Sequence, residues 1–447
     1  MKIKTPSDMT SGPLGKQILL FSLPLMLSNV LQVLFNMSDV AVVGRFAGSS
    51  ALGSVGSTST MVMLFTGLLI GMGSGVNVLA ARFFGARQEK DLRQTVHTSF
   101  WICLLSGLLI LGLGLLFSRP LLALLNTKPE LMDGAVLYIR LYLLGMPALA
   151  LYNFGSGVMS AVGDTRRPLI YLLISGVVNV LLNLFFVIVC RIGVAGVAIA
   201  SVISQYLSAF LILLSLLKSN GMYSLRLPEL KLTPEKAHMI LALGIPAGFQ
   251  NAIFAIANLF IQAGVNSFDT LMVEGNSAAS NADALVYDMM AAFYTACSSF
   301  MGQNFGAGKK DRVRKSYFIS LGYSFGIGAL LGGLLLLFGN RFLSLFTSDA
   351  AVAEAGMKRL TIMAFSYAVS AFMDCTIAAS RGLGKTVVPT VIVIMGSCVF
   401  RVLWVYTVFA YFRTIPSLYL LYIFSWAITA IAEMIYFKRC YQKALCH

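Results

Sequence analysis

The sequence predicts an all-α polytopic membrane protein with twelve transmembrane helices, arranged as two six-helix lobes related by a pseudo-two-fold axis along the membrane normal. The composition is the first reason, since 58% of the residues are hydrophobic and only 11% are charged. A soluble domain carries about 25% charged residues. The other two reasons are the regular succession of long apolar stretches and the repetition of short motifs in the two halves of the chain.

Twelve apolar stretches follow one another with short polar connections. About 20 apolar residues suffice for a helix to cross the hydrocarbon core. The predicted spans are 15–43, 51–81, 96–117, 134–160, 168–189, 193–217, 237–266, 278–304, 316–339, 357–380, 387–411 and 415–438. The longest polar connection lies mid-chain, so we predict an N-terminal lobe over 1–217, a cytoplasmic linker over 218–236 and a C-terminal lobe over 237–447.

The two halves repeat the same motifs 221 or 222 residues apart. The pairs are RFFGARQEKDLR (82–93) with QNFGAGKKDRVR (303–314), MSAVGDTRRP (159–168) with AASRGLGKTVVP (378–389), and Pro24 and Asn29 with Pro246 and Asn251. Three agreeing registers indicate an internal duplication. Because six spans per half is an even number, both halves cross the membrane in the same sense, which predicts a parallel repeat.

The net charge of +15 is distributed as in a membrane protein rather than a nucleic-acid-binding protein. With the N-terminus in the cytoplasm, 23 of the 33 Lys and Arg residues fall on the cytoplasmic side, nine fall on the other side, and Arg401 lies within a span. Cytoplasmic loops carry such an excess of basic residues. We therefore expect both termini in the cytoplasm, the lipid bilayer as surroundings and no nucleic-acid partner.

No motif for catalysis or for a cofactor occurs. The chain lacks GxxxxGK[ST], HExxH and GxSxG, and its seven cysteines show no metal-ligand spacing. We therefore expect no enzymatic activity, no cofactor and free thiols. The glycine-rich run at 67–75 lies in an apolar span and is interpreted as close helix packing, not as a phosphate loop.

Several motifs together resemble the multidrug and toxic compound extrusion (MATE) transporters. They are MTSGPLGKQILLFSLPLMLSN followed by DVAVVGR, the GARQEKDLR and QNFGAGKKDR loops, and RGLGKT. The resemblance covers nearly the whole chain and looks closest to bacterial members of the branch named for a DNA-damage-inducible protein. It implies a V-shaped pair of lobes with a central cleft in a bacterial inner membrane. It also implies alternating-access export of organic, often cationic, small molecules in exchange for inward H⁺ or Na⁺; we expect a monomer.

Asp39 is the first candidate for coupling transport to an ion. A carboxylate within a span costs roughly 2.5–3.5 kcal/mol, so it normally faces a bundle interior or a wet cavity. The resemblance implies that Asp39 is the cation-binding acid of the first helix. The alternative is a carboxylate that caps backbone amides near the outer interface. Pro24 in the same span removes a backbone donor and is the predicted hinge.

Asn179 and Asn183 lie four residues apart in the fifth span and therefore share one helix face. The family often carries Asp at the second position, so Asn183 removes a negative charge. This departure favours H⁺, although Na⁺ at Asp39, Asn179 and Asn183 stays open. Ser201 lies where the family offers a hydroxyl ligand. The alternative for the two amides is interhelical hydrogen bonding, worth about 0.6 kcal/mol per contact.

A second polar set lies in the C-terminal half. It comprises Gln250, Asn251, Asp283, Asp288, Asp374 and Arg401. We expect Arg401 to pair with one of the acids, either to lock the bundle or to handle substrate or ions. Gln250 and Asn251 are as plausible in a substrate cleft as between packed helices. Glu433 is expected in an interfacial ion pair and His97 in solvent.

The main alternative is a flippase of lipid-linked oligosaccharide or another lipid from the same superfamily. Such proteins need a basic surface for the head group, and here only Arg401 is placed deep in a span, which favours the drug exporter. A third hypothesis is a non-transporting membrane protein, such as a receptor or an assembly subunit. This hypothesis gives no good reason for duplicated lobes with buried acids.

Overall fold

The computed structural model describes residues 8–445, which form helices and short connections with no β-strand in that range. The helices are α1 (Leu14–Phe46), α2 (Ser49–Gly85), α3 (Glu89–Leu124), α4 (Pro129–Leu143), α5 (Met146–Ala161), α6 (Arg166–Val189), α7 (Gly193–Leu217), α8 (Pro234–Val265), α9 (Thr270–Gly306), α10 (Lys310–Leu343), α11 (Ala350–Gly382), α12 (Val387–Phe412) and α13 (Ile415–Leu445). Each predicted span is occupied by one helix, or in one case by the pair α4 and α5, so the predicted fold class is confirmed.

The spans differ in how clearly their composition marks them as transmembrane. Ten helices in the described chain are long and apolar enough to cross a membrane, and α4 with α5, which meet at 45°, form a bent eleventh. The remaining helix, α9, has 37 residues, but its polar and acidic side chains lower its mean hydropathy. Because many of those side chains are buried against other helices, α9 does not need a continuous lipid-facing surface.

The duplication is visible in the backbone as well as in the sequence. Positive φ angles recur at matching positions, namely Arg87 (55°) with Gly308 (69°), Gly163 (88°) with Gly384 (79°), and Arg191 (54°) with Arg413 (49°). Wide π-type turns also recur, at Phe185–Val189 and Val405–Phe409. Such turns are rare, so their repetition about 220 residues apart supports a common ancestor for the two halves.

The described chain forms two compact units that differ from the predicted lobes in two segments. The N-terminal unit comprises residues 27–252, and the C-terminal unit comprises residues 9–26 and 253–445. The first part of α1 therefore belongs to the C-terminal unit, and the first part of α8 belongs to the N-terminal unit. The lobe boundaries drawn from the sequence stay a prediction.

Close glycine contacts organise the N-terminal unit. A Cβ on Gly71 of α2 would lie 2.1 Å from the backbone nitrogen of Gly248 of α8, and a Cβ on Gly75 would lie 2.7 Å from that of Gly244. Asn251 donates to the carbonyl of Gly67 at 3.1 Å. The interpretation of the glycine-rich run as close helix packing is therefore confirmed, since it forms the α2 side of this contact.

The C-terminal unit packs α9, α10, α11 and α13 around an apolar core. Its largest buried side chains include Tyr367 and Tyr419, each about 1% exposed or less. Helices α9 and α11 approach closely where a Cβ on Gly275 would lie 2.5 Å from the backbone nitrogen of Gly356. This approach brings polar side chains of the two helices within bonding distance.

Candidate functional site

Four polar side chains predicted from the sequence meet in the N-terminal unit and close a ring of hydrogen bonds. Asn183 donates to Asp39 and, at 3.2 Å, to the side-chain oxygen of Asn179. Asn179 donates to the Ser201 hydroxyl at 3.5 Å. Ser201 donates to the second oxygen of Asp39, also at 3.5 Å. We call these four residues the Asp39 ring; they come from α1, α6 and α7.

The sequence places these residues together through helical spacing and one small residue. Asn179 and Asn183 lie one turn apart on α6, and Gly176 lies on the same face one turn earlier. The Phe35 ring of α1 fills the space where a Gly176 side chain would stand, since a Cβ there would lie 1.9 Å from it. Because Phe35 and Asp39 are also one turn apart, seating the ring on Gly176 points Asp39 at the α6 amides.

Apolar and aromatic side chains flank the ring. Val42 and Val43 follow Asp39 on α1 and pack with Tyr138 and Tyr142 of α4. The two tyrosine rings stack with their centroids 5.8 Å apart. This wall keeps bulk water from one side of the carboxylate, although Asp39 itself is only partly buried. A partly enclosed acid can still exchange a proton or a small cation with water.

The hydrogen-bond directions fit an ionised Asp39, because both neighbours that contact it donate to it. Asn183 is fully buried, and its side-chain oxygen has no hydrogen-bond partner in the described structure. A buried acceptor without a donor is unusual. The ring therefore offers a carboxylate, two amide oxygens and a hydroxyl, which could hold either one proton or one small cation with oxygen ligands.

A different polar cluster lies in the C-terminal unit, around Asp283 of α9. Arg359 of α11 forms an ion pair with Asp283 and donates to Asn276. Tyr367 donates to the other oxygen of Asp283, and Tyr419 donates to Asn276 at 2.7 Å. The side chains of Arg359 and Asp283 are only 9% and 14% exposed. The charges and hydrogen bonds compensate each other, as in a structural network.

The expectation that Arg401 pairs with one of the acids is wrong for the described residues. Arg401 donates to Ser425 at 3.2 Å and lies over the rings of Tyr422, Phe254 and Trp426. Its guanidinium carbon is 4.7 Å from the Tyr422 centroid. Aromatic faces attract a guanidinium electrostatically, so the bundle accommodates this buried cation without a carboxylate at bonding distance.

The remaining acids of the C-terminal unit occupy separate places. Asp374 of α11 is 8% exposed, and one of its oxygens has no hydrogen-bond partner in the described structure. Asp288 of α9 is half-buried. Glu433 was expected in an interfacial ion pair, but it is fully buried and neither oxygen accepts a hydrogen bond from described residues. Hydropathy placed Glu433 near the end of its span, whereas α13 continues to Leu445.

Other expected residues fall outside these clusters. His97 was expected in solvent, but it is 3% exposed and its Nε2 accepts from the backbone amide of Arg226 at 3.1 Å. Gln250 is buried in α8. Asn251 bonds to a backbone carbonyl of α2, which favours the helix-packing interpretation for it. Pro24 lies inside the continuous helix α1.

Arg359 and Tyr367, the side chains that bind Asp283, were not predicted from the sequence. Arg359 was counted among the basic residues of the non-cytoplasmic side because it lies only two residues after the start of the predicted span at 357. Helix α11 begins at Ala350, so Arg359 lies more than two turns inside it. Three acidic positions in adjoining spans of this half were the available signal for a buried cation.

The fold describes a multi-pass helical membrane protein built from two related repeats. The profile of the MatE family matches residues 24–185 and 246–407, two segments whose limits are 222 residues apart. The chain therefore belongs to the MATE family, whose members are transporters and not enzymes.

Individual relatives agree with this assignment. The probable multidrug resistance protein YpnP of Bacillus subtilis is 31% identical over 362 residues, which are 80% of each chain. The probable multidrug resistance protein NorM of Thermotoga maritima is 24% identical over 89% of this chain and 86% of that protein. The solved structure titled "Outward-facing conformation of a multidrug resistance MATE family transporter of the MOP superfamily" matches with a TM-score of 0.92, at 21% identity and full coverage of both chains.

Proposed function

We propose that this protein exports organic, often cationic, compounds in exchange for inward protons, and that Asp39 is the residue that carries the proton. The Asp39 ring is the observation that carries the proposal. In it the partly buried carboxylate of Asp39 on α1 is joined to residues of two other helices, α6 and α7. The names of YpnP and NorM as multidrug resistance proteins support the substrate class.

Protonation of Asp39 changes which hydrogen bonds the ring can make. An ionised carboxylate only accepts, whereas a protonated carboxyl must also donate. Rotation of the Asn183 amide by about 180° presents its unpartnered oxygen to that proton. Binding of the proton thus changes the hydrogen bonds between α1 and α6. Such a difference in contacts between the protonated and ionised states is what couples ion binding to a conformational change.

The composition of the ring favours H⁺ over Na⁺. Hard cations prefer oxygen ligands, and several carboxylates strengthen such a site. The resemblance to the MATE family implies an acid at the position of Asn183 in several members, whereas in this ring only Asp39 supplies a negative charge. A ring with one carboxylate remains well suited to a proton, which needs one base.

The experiment measures the uptake of a fluorescent organic cation into everted vesicles, whose outer face is the cytoplasmic face, under a pH gradient or a Na⁺ gradient, applied separately. Wild type is expected to follow the pH gradient, with accumulation rising about tenfold per pH unit for each proton exchanged per substrate molecule. In Asp39→Asn the pH-driven accumulation is expected to vanish, because an amide does not exchange a proton at neutral pH. The matched control is Asp133→Asn, an acid that is 87% exposed outside the ring.

Flux that survives in Asp39→Asn would exclude this residue as the coupling acid. Asn183→Asp tests the choice of ion, since a second carboxylate beside Asp39 is expected to add a response to the Na⁺ gradient. Wild-type flux driven by Na⁺ alone would contradict proton coupling. Absence of flux under either gradient in folded protein would direct attention to the lipid flippase.

We also propose that the protein lies in a bacterial inner membrane as a monomer, with both termini in the cytoplasm and Pro24 as the hinge of α1. The distribution of 23 of the 33 basic residues supports this orientation. A single cysteine placed in the 218–236 linker should be labelled by an impermeant reagent in everted vesicles but not in intact cells.

A further inference from the structure

The chain ahead of α1 is held against the C-terminal unit by side chains that bind its backbone. We call residues Met9–Gly12 the strap. The guanidinium of Arg312 on α10 donates to the carbonyls of Met9 at 3.0 Å, Ser11 at 3.2 Å and Gly12 at 2.9 Å. A single planar fork of donors with fixed directions thus binds three carbonyls of an irregular segment.

Neighbouring side chains complete the hold on the strap. Lys309 donates to the Thr10 carbonyl at 2.6 Å and contacts its hydroxyl at 3.2 Å. Asn304 of α9 donates to the Met9 carbonyl at 3.2 Å and accepts from Arg312 at 3.1 Å. Every strap carbonyl is therefore bonded to a side chain. Asn304, Lys309 and Arg312 all belong to the repeated motif at 303–314, and no residue of this motif belongs to the Asp39 ring.

The side chain of Met9 anchors the strap in an apolar cavity. Met9 is 1% exposed and packs in a cluster with Ile18 and Phe21 of α1 and with Phe293 and Phe300 of α9. The rings of Phe21 and Phe300 meet edge to face with centroids 5.4 Å apart. The strap therefore fixes the first part of α1 on the C-terminal unit, whereas Asp39 in the second part of α1 belongs to the N-terminal unit.

The other copy of the motif, at 82–93, holds the first turn of α8. Asp91 pairs with Lys236 at 2.7 Å, although Lys236 is only 3% exposed. Just beyond the motif, the hydroxyl of Thr98 accepts from the backbone amide of Thr233 at 3.1 Å. Asp91 and Arg312 are equivalent positions, 221 residues apart. Both copies thus use this position to hold the chain that enters the first helix of the other half.

We infer that Arg312 and Asn304 are positioning residues of the transport cycle, and that the clamp they form on the strap opens and recloses as the protein turns over. The bonds from Lys309 to Thr10 and from Arg312 to Ser11 and Gly12 are exposed to solvent, and exposed hydrogen bonds to an irregular backbone open most readily. The clamp holds the chain at the start of α1, and Asp39 lies in the second part of the same helix. A displacement of either part of α1 is therefore transmitted along the helix to the other part. This inference rests on transport by the family, not on the identity of the coupling ion.

The decisive experiment closes the clamp reversibly. Thr10→Cys and Lys309→Cys are joined by a short methanethiosulfonate cross-linker, with Cys190, Cys440 and Cys446 (the last outside the described residues) changed to serine. Cross-linking is expected to reduce the efflux of a fluorescent organic cation at least about tenfold, and reduction is expected to restore it. The control pair, Lys310→Cys with Arg314→Cys, joins two turns of α10 with the same reagent and is expected to leave efflux unchanged. Full efflux in the cross-linked protein would overturn the inference.

A second measurement does not depend on transport. In detergent-solubilised protein, the rate at which a water-soluble maleimide labels Ser11→Cys reports how often the strap is free. Arg312→Lys keeps the charge but loses the fork of donors, and it is expected to accelerate labelling about tenfold or more, since charge-assisted bonds are lost. The control Arg314→Lys lies on an exposed part of α10 and should label as wild type does. Equal labelling rates in Arg312→Lys and wild type would exclude the clamp, whatever ion drives transport.

Discussion

At the scale of single residues, a buried ion pair is most sensitive to the loss of only one partner, and Asp283 with Arg359 is such a pair. Arg359→Met leaves Asp283 charged with Tyr367 as its remaining donor. We expect a loss of about 3–5 kcal/mol in the free energy of unfolding. Thermal unfolding of the purified protein in detergent measures it. Adding Asp283→Asn removes the unpaired charge and keeps an acceptor for Tyr367, so the double variant should recover part of the loss.

The matched control for this prediction is Arg119→Met. Arg119 and Asp133 form an ion pair at 3.1 Å, but their side chains are 62% and 87% exposed. Exposed pairs contribute about 0–1 kcal/mol. If Arg359→Met unfolded at the same temperature as Arg119→Met, the Asp283 cluster would not be a stabilising network.

The contrast between Asp39 and Arg401 shows which residue contacts the sequence can predict. Two rules that need no coordinates singled out Asp39 by the cost of a carboxylate in lipid, and Asn179 and Asn183 by their spacing on one helix face. That these residues and Ser201 belong to one site was implied only by the resemblance to the MATE family. Arg401 was correctly placed deep in a span. Its neighbours were not predicted, because hydropathy gives depth along a helix and not the direction of a side chain around it. In the structure, aromatic rings provide the electrostatic attraction for the Arg401 guanidinium that an acid was expected to provide.

At the scale of the helices, the contact between α2 and α8 depends on the absence of side chains. Gly71→Ala would place a methyl group 2.1 Å from the Gly248 backbone. The two helices must then separate, and we expect a loss of about 1–3 kcal/mol in the free energy of unfolding, as for other overpacked contacts. Thermal unfolding and the yield of monodisperse protein measure this loss.

Gly56→Ala on the same helix is the control, since no heavy atom lies within 4 Å of the Cβ it would add. Alanine favours the helix by about 1 kcal/mol relative to glycine, so this variant should be as stable as wild type or more stable. Equal destabilisation by both substitutions would mean that the helix backbone, and not the contact with α8, is sensitive to alanine.

The helix boundaries differ from prediction in one consistent direction. Helix α3 begins at Glu89 instead of 96, and α11 begins at Ala350 instead of 357. Apolar composition identifies the part of a helix that contacts lipid, but these helices continue into polar turns that pack on other parts of the chain. His97 and Arg359 lie in such turns. This explains why both were assigned to the membrane surface although both are buried.

At the scale of the whole molecule, the duplication preserved the backbone but not the chemistry. The position equivalent to Asp39 in the second half is Ile261, which is 3% exposed in the apolar core of the C-terminal unit. Conversely, the position equivalent to Asp374 in the first half is Asn153. The repeat pattern therefore predicted the fold well. It could not predict the acids, because Asp39 and Asp374 lie at positions that are not equivalent in the two repeats.

This asymmetry leads to a prediction about stoichiometry. If one proton enters as one monocation leaves, no net charge moves, and the membrane potential contributes nothing. A second proton would make the exchange sensitive to potential, since one charge across 100 mV is worth about 2.3 kcal/mol. Asp283 is neutralised by Arg359, whereas Asp374 and Glu433 have buried oxygens without a hydrogen bond in the described structure, and of these two only Asp374 belongs to the polar set predicted from the sequence. We therefore expect Asp374 to carry the second proton.

The measurement is the uptake of a monocation into everted vesicles in which a potassium diffusion potential is imposed without a pH gradient. Wild type should respond to the potential. Asp374→Asn should lose this response while keeping uptake driven by pH, because Asp39 still exchanges its proton. A wild-type protein that ignores the potential would establish one-to-one exchange. Asp374 would then have no part in coupling, and a pH gradient of one unit would limit accumulation of a monocation to about tenfold.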